Sequence, residues 1–222
     1  MKTLLFITLL FPVLASAVNL ELSVGMNQYK LTPDGTWYQE AFPHDLDLNS
    51  EAWAVGVSHK FDKYPLLRAE YVSLGMARAN AWAVPNDYNY NPNTNQCIGE
   101  CLPLANFVSK GSVKGIALSF APEWNFGPVS VYAEGGIYIY QPTYKASIHN
   151  VYCCLGDQNP VGPYPSGTIK HNSQTSFTYL FGAGVRYKNV DFSLRYYDVE
   201  AADDAVPAVY IGATTAMMRV NF

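Results

Sequence analysis

Residues 176–197 read SFTYLFGAGVRYKNVDFSLRYY, and they show the folding pattern of the chain most plainly. Apolar or aromatic side chains, all large except Ala183, occupy every second position from Phe177 to Tyr187, and mostly small or polar residues stand between them. After a short interruption at Lys188 to Val190, the alternation resumes at Phe192. Alternation with a period of two is typical of a β-strand with one apolar face, and two such strands joined by a short turn predict an antiparallel hairpin.

The same alternation extends through the rest of the chain and defines eight runs. One face of each run is aliphatic and aromatic, and the other is small, hydroxylic or charged. Glycine and alanine are poor choices for a water-facing surface, but they fit the narrow interior of a small barrel whose apolar face meets lipid. We therefore predict an all-β fold, an eight-stranded antiparallel up-and-down transmembrane β-barrel. The runs lie near residues 20–27, 53–61, 67–71, 116–120, 129–139, 176–187, 192–197 and 210–222.

Composition supports this fold class. Only 14% of the 222 residues are charged, compared with about 25% in an ordinary soluble domain, although 49% are hydrophobic and 17 are tyrosine. This hydrophobic content argues against a disordered chain. The net charge of −4 gives no electrostatic reason to expect a nucleic-acid partner. After residue 17 there is no run of about 20 apolar residues, which a membrane-spanning helix needs.

The connections between the runs alternate between short and long. Short ones are predicted at Asp62 to Pro65, Asn125 to Pro128 and Lys188 to Val190. This asymmetry is typical of outer-membrane barrels, whose turns on the periplasmic side are short and whose extracellular loops are long. We therefore predict four long extracellular loops, at Leu31 to Glu51, Ala79 to Gly111, Pro142 to Asn172 and Glu200 to Ala208.

The first 17 residues have the features of a secretory signal peptide. Lys2 forms a positive amino-terminal region, Leu4 to Leu14 is an apolar segment, and Ala15 to Ala17 form a small-residue cleavage site. We therefore predict that residues 1–17 are a signal peptide and that residues 18–222 form the barrel domain.

Four cysteines fall in two of the predicted long loops. Cys97 and Cys101 lie in the second, and Cys153 and Cys154 in the third. A metal site is conceivable for four cysteines, but an exported protein more often forms disulfides. Adjacent cysteines are poorly placed to pair with each other, so we favour two bridges between the loops. A Cys97–Cys101 bridge with a strained pair of neighbours is the alternative.

The chain resembles the small eight-stranded bacterial outer-membrane barrels, namely the OmpA transmembrane domain and OmpX-like proteins. The resemblance covers residues 18–222, and its most specific part is the carboxyl-terminal sequence Met218-Arg219-Val220-Asn221-Phe222. In that family, alternating apolar positions that end on an aromatic residue form the signal read by the barrel-assembly machinery. The resemblance therefore implies that Met218, Val220 and Phe222 form an assembly signal and that the protein resides in a Gram-negative outer membrane.

Charged residues lie on the predicted inner face, and three of them, Glu70, Glu134 and Arg195, should lie at similar depth. Buried charges persist when they are paired and hydrogen-bonded, so we interpret these groups as a salt-bridged filling of the barrel. The alternative is a gate for small ions or water, which the resemblance to OmpA suggests. The full predicted set comprises Glu21, Lys60, Arg68, Glu70, Glu123, Glu134, Arg186, Arg195 and Arg219.

A weaker pattern indicates an enzyme. His171-Asn172-Ser173 faintly resembles the His-x-Ser pair of the lipid A deacylase barrels. A His–Ser pair needs an orienting acid, and we find no Asp or Glu suitably placed on the lipid-facing side. We therefore expect no catalytic residues, no metal and no cofactor.

The sequence favours a non-enzymatic outer-membrane protein at the cell surface whose disulfide-stabilised loops bind other molecules or interact with the envelope. The expected partners are outer-membrane lipid, the barrel-assembly machinery and a host or phage surface ligand. A narrow ion or small-solute pore is the first alternative, and a hydrolase that modifies lipid A is the second.

Overall fold

Eleven strand segments make up the fold in a computed structural model of the chain. The structure describes residues 18–32, 38–60, 65–85, 104–152, 168–172, 175–201 and 209–222. The segments are β1 (Val18–Thr32), β2 (Tyr38–Asp47), β3 (Asn49–His59), β4 (Leu66–Pro85), β5 (Leu104–Ala121), β6 (Glu123–Phe126), β7 (Val129–Tyr152), β8 (Thr168–Asn172), β9 (Ser176–Tyr187), β10 (Val190–Ala201) and β11 (Val209–Asn221).

The sheet closes because the first strand pairs with the last. β1 is antiparallel to β11 on one side and to β3 on the other. The remaining neighbours, β3–β4, β4–β5, β5–β7, β7–β9, β9–β10 and β10–β11, are also antiparallel. The pairs β2/β3, β5/β6 and β8/β9 are each one barrel strand with a local interruption, so the barrel has eight strands. The predicted fold class is confirmed.

No helix among the described residues is long and apolar enough to cross a membrane.

The inner and outer faces follow the alternation in the sequence. On β1, Leu22 and Val24 are exposed on the outside, whereas Glu21 and Ser23 are buried. On β9, Phe181 is exposed on the outside and Thr178 is buried. The predicted assignment of inner and outer faces is therefore confirmed. Closure also pairs the backbone groups that an open sheet would leave exposed at its edges, which lipid does not tolerate.

Two of the three predicted short turns lie within described residues, and both are tight. Gly127 and Pro128 join β6 to β7, and Lys188 and Asn189 join β9 to β10. Gly127 has a φ of 65° and Lys188 a φ of 55°. Two-residue hairpin turns require such left-handed conformations, because they match the twist of the flanking strands. Most of the first predicted turn, residues 62–64, lies outside the described residues.

The long connections are shorter than the sequence predicts, because strands extend into them. β2 lies inside the first predicted loop, and β4 continues to Pro85. β5 begins at Leu104 and β7 continues to Tyr152. Alternation arises because one face of a strand meets lipid, so paired strands that continue beyond the lipid lose the pattern. The intervals that remain, 33–37, 86–103, 153–167 and 202–208, lie outside the described residues.

Candidate functional site: the barrel interior

Seven charged side chains meet inside the barrel toward the end with the short turns, and none is more than 4% exposed. We call them the ionic cluster. They come from β1, β4, β7, β10 and β11, which closure brings together around one axis. The members are Glu21, Arg68, Glu70, Glu134, Asp191, Arg195 and Arg219.

Arg195 joins two carboxylates. Its Nη1 lies 2.7 Å from Glu70 Oε2, and its Nη2 and Nε lie 2.8 and 2.9 Å from the two oxygens of Glu134. The hydroxyl of Ser119 also donates to Glu134, at 2.6 Å. A two-pronged contact between a guanidinium and a carboxylate is among the stronger charge-assisted hydrogen bonds. These bonds hold Glu134 in one orientation.

A glycine makes this contact sterically feasible. In the strand register, Gly182 of β9 lies between Glu134 of β7 and Arg195 of β10. A Cβ atom at residue 182 would lie 2.9 Å from the carbonyl oxygen of Leu194 and 3.0 Å from Cγ of Arg195. The absence of a side chain therefore leaves the space in which Arg195 crosses a strand to reach Glu134.

Arg219 forms the second junction, at the closure between the last strand and the first. Its Nη2 lies 3.0 Å from Glu70, its Nη1 3.3 Å from Asp191, and its Nε 3.4 Å from Glu21. Nε also donates to the hydroxyl of Ser23, at 3.2 Å. In the register, Arg219 lies directly between Asp191 and Ser23, so pairing of β1 with β11 assembles this junction.

Arg68 completes the cluster from β4. It lies 3.3 Å from Glu21, 3.4 Å from Glu134 and 3.2 Å from Asp191. Its guanidinium also lies over the ring of Tyr132, 4.8 Å from the ring centre. Each of the three buried arginines thus contacts more than one carboxylate, which offsets part of the cost of taking these charges out of water.

Sequence reasoning missed Asp191, although its side chain is fully buried and contacts three arginines. Arg68, Arg186 and Arg219 all lie within 3.3 Å of its carboxylate. Its position next to a predicted turn concealed its role. The spacing along the strand could have revealed it. Asp191 lies two residues before Ser193 and four before Arg195, and residues at even spacing on a strand share a face, here the predicted inner face.

With Asp191 included, the interior charges balance. Arg186 lies 2.6 Å from Glu123, and Lys60 lies 2.5 Å from the same carboxylate at the rim. Five carboxylates therefore face five cations among the described residues. The set comprises Glu21, Glu70, Glu123, Glu134 and Asp191 with Lys60, Arg68, Arg186, Arg195 and Arg219.

A layer of buried apolar side chains lies beyond the ionic cluster, toward the end with the long connections. We call it the apolar layer. The expectation that the inner face is only small, hydroxylic or charged is wrong at this level, because large and small side chains interdigitate there. Its members are Tyr29, Ala52, Ala54, Val72, Leu74, Ala77, Val113, Ala117, Tyr138, Tyr140, Leu180, Tyr197, Val199, Ala213 and Met217.

Tyrosines connect the ionic cluster with the apolar layer. Tyr138 stacks on Tyr140, with 5.5 Å between ring centres, and meets Tyr197 edge-on at 5.0 Å. The hydroxyl of Tyr138 donates to the carbonyl oxygen of Val72 at 3.1 Å, and Arg195 donates to the hydroxyl of Tyr197 at 3.3 Å. Their polar ends are therefore satisfied within a mostly apolar environment.

The exterior is apolar and the interior holds a cluster of paired charges, an arrangement that a water-soluble barrel would reverse. The fold is that of a bacterial outer-membrane β-barrel. On β7, outward-facing apolar residues run from the half-buried Val129 through the exposed Val131 to Ile139. With the usual strand tilt, the outward face from Val129 to Ile139 spans about 25 Å, the height of the lipid-facing band of such barrels.

Comparison with known proteins gives similarity of fold only. Neither a protein-family model nor a curated protein matches the sequence. Among solved structures, the chain is similar to neisserial surface protein A, with 14% identity and a TM-score of 0.39, over 93% of this chain and 98% of the other. It is also similar to Ail, the attachment invasion locus protein of Yersinia pestis, in complex with the heparin analogue sucrose octasulfate. There the identity is 14% and the TM-score 0.38, over 93% and 99% of the two chains.

The remaining candidates divide between described and undescribed positions. All four cysteines and Ser173 lie outside the described residues. His171 belongs to β8 and pairs with Tyr144 in the register. Met218 and Phe222 are exposed on the outer face. Among the described residues there is no group of three or more His, Cys, Asp or Glu side chains that could hold a metal ion.

Proposed function

We propose that this chain is a non-enzymatic surface protein of the outer membrane. On this proposal, residues 1–17 direct export, the carboxyl-terminal strand recruits the barrel-assembly machinery, and the barrel serves as an anchor. The chain segments at the end with the long connections would bind a host, phage or envelope component. The observation that carries the proposal is the filled interior, combined with strands that continue beyond the lipid-facing band.

A filled interior favours an anchor over a pore. An ion entering from the short-turn end would meet paired charges in the ionic cluster and then the apolar layer. Ions enter apolar surroundings only at a large desolvation cost. The residues of the apolar layer are 3% exposed or less, so an ion at this level would meet closely packed apolar side chains.

The extended strands support the idea of a surface platform. The last row in which paired outward residues are both apolar contains Tyr71 of β4 and Ile116 of β5. Beyond it Met76 is exposed opposite the polar Ser112, and the two strands remain paired as far as Ala83 and Ala105. Twelve further residues on β4 correspond to about 40 Å along the strand. The hairpins therefore hold the second and third connections well beyond the lipid.

The register supports disulfides between those connections. Leu104 of β5 pairs with Tyr152 of β7. Cys153 directly follows Tyr152, and Cys101 lies three residues before Leu104, a span of at most about 11 Å. The described strands thus start the two cysteine-bearing segments from neighbouring positions. We include bridges from Cys97 and Cys101 to Cys153 and Cys154 in the proposal.

The test compares the full chain with a variant in which residues 86–103 and 153–167 are replaced by short Gly-Ser linkers. We expect both proteins to reach the outer membrane and to migrate on denaturing gels in a manner that depends on heating. Only cells that express the full chain should gain adhesion to host cells or sensitivity to phage. The lipid A mass spectrum should be the same with and without the protein.

Equal adhesion and equal phage sensitivity of cells with the two proteins would contradict the platform. A changed lipid A mass that depends on His171 and Ser173 would instead support the hydrolase alternative. Recovery of the protein in the soluble periplasmic fraction would contradict the anchor itself.

A further inference from the structure

A row of basic residues crosses the outer surface of the barrel beyond its lipid-facing band. Arg78 of β4 pairs in the register with Lys110 of β5, and Lys110 pairs with Lys145 of β7. Lys170 of β8 occupies the next position, opposite Lys145. Arg78, Lys110 and Lys145 are exposed. We call Arg78, Lys110 and Lys145 the basic row.

Adjacent like charges are unfavourable on a sheet. Residues directly opposite on antiparallel strands have Cβ atoms about 4.5–5.5 Å apart, and like charges at that spacing repel. Asp47 of β2 is paired with Arg78 at one end of the row. None of the ion pairs between described residues involves Arg78, Lys110 or Lys145. Anions from outside the chain would remove this repulsion.

The height of the row indicates where the anions come from. The last apolar row of the band contains Ile116 and Ile139. Lys145 lies six residues beyond Ile139, which is about 20 Å along the strand and about 15 Å along the barrel axis. Lys114 is also exposed and lies only two residues beyond Ile116. Basic side chains on this face of the barrel therefore begin at the edge of the hydrocarbon, with Lys114, and continue into the headgroup region, with the basic row.

We propose that the basic row and Lys114 bind the phosphate and carboxylate groups of lipopolysaccharide in the outer leaflet. Lipid A carries phosphates at the hydrocarbon edge, at the level of Lys114, and the inner-core sugars carry further anionic groups at the level of the row. Basic clusters beside a membrane-spanning segment are a general means of binding anionic headgroups. This inference rests on the proposed outer-membrane location, but not on a ligand for the cysteine-bearing connections.

The test uses purified, folded full-length protein in non-ionic detergent, titrated against fluorophore-labelled lipopolysaccharide. Lys110→Gln and Lys145→Gln should each weaken binding about fivefold, the factor that corresponds to roughly one surface charge at a membrane. Lys110→Arg should keep the affinity. Lys188→Gln removes an exposed lysine at the opposite rim and should change the affinity less than twofold. Heat-dependent gel migration verifies that each variant is folded.

Further binding measurements identify the anionic group that the basic row binds. Enzymatically dephosphorylated lipopolysaccharide should bind at least tenfold more weakly to the wild type. Equal binding of the dephosphorylated form, or an equal loss in Lys188→Gln and Lys110→Gln, would overturn the proposal. Displacement of lipopolysaccharide by a soluble sulfated oligosaccharide or by inorganic phosphate at matched anion concentration would also overturn it, because the row would then bind soluble anions. Adhesion of intact cells tests the proposed function separately.

Discussion

Arg195 shows how much of the barrel can depend on one buried charge. If Arg195→Met removes this guanidinium, Glu134 loses its two-pronged partner and Glu70 loses its shortest contact. Glu134 then keeps only Arg68, at 3.4 Å, and Glu70 keeps Arg219, at 3.0 Å. Removing one partner of a buried ion pair typically costs about 3–5 kcal/mol. We expect a loss of that size in the free energy of unfolding, measured by urea titration in lipid vesicles.

A second substitution tests the reason for that loss. Arg195→Met combined with Glu134→Gln should be more stable than Arg195→Met alone, because the unpaired charge is removed with its partner. Lys188→Met, in an exposed turn, should change the stability by less than about 0.5 kcal/mol. If the double variant is as unstable as the sum of its single variants, the two groups are not coupled.

The terminal aromatic residue makes a prediction about assembly rather than stability. Phe222 is 67% exposed on the outer face, and Phe126, at the same end of the barrel, is 66% exposed. The two side chains therefore lose similar contacts with lipid when changed to serine. Because Phe222 belongs to the proposed assembly signal with Val220 and Met218, Phe222→Ser should lower the amount of folded protein in cells more than Phe126→Ser does.

The two variants should have similar stability after refolding in vitro, where no assembly machinery is present. Pulse-chase labelling with heat-modifiability gels measures the yield in cells, and urea titration measures the stability. Equal yields in cells would remove the support for a signal at Phe222.

At the scale of the elements, β5 crosses two environments with one continuous outer face. Leu118 lies within the lipid-facing band, and Ser112 points the same way six residues nearer the long-connection end. Arginine on the lipid-facing side costs about 2–4 kcal/mol at the midplane and about 0–1 kcal/mol near the interface. Leu118→Arg, two residues inside the outermost apolar row, should therefore cost more than Ser112→Arg, which should cost about 0–1 kcal/mol. Folding titrations in vesicles compare the two, and equal costs would contradict the proposed position of the band.

The neighbouring hairpins lead to a prediction about disulfides. Because Leu104 pairs with Tyr152, peptide mapping of protein from the envelope without reduction should find Cys97 or Cys101 linked to the peptide that contains Cys153 and Cys154. Reduction should separate them. Bridges confined to one connection, or four free thiols, would contradict the cross-linked platform while leaving the barrel fold unaffected.

At the scale of the whole molecule, the two interior levels together predict a closed barrel. Purified wild-type protein in planar bilayers should show no steady conductance, because the ionic cluster and the apolar layer block the axis in series. Arg195→Met should also remain closed, since it changes only one level. Discrete, long-lived channel openings by the wild type would contradict this arrangement and favour the pore alternative.

Sequence alone determined which face of each strand meets lipid and that the barrel has eight strands, because alternation follows directly from the geometry of a single strand. It also determined that residues such as Glu70, Glu134 and Arg195 face inward. These conclusions need only one fact about each residue, namely whether it occupies an odd or an even position along its strand. Where strands extend beyond the lipid, as in β2, apolar and polar residues no longer alternate, and the sequence could not predict where these strands end.

Only the tertiary structure decided which inward residues meet. Arg68 and Asp191 are 123 positions apart in the sequence, and their contact depends on the register of every intervening strand pair and on closure of β1 with β11. The basic row likewise exists only because the register aligns Arg78, Lys110 and Lys145. The physical reason is that a side chain's face is a local property of the strand, whereas its neighbours depend on how the strands are staggered around the barrel.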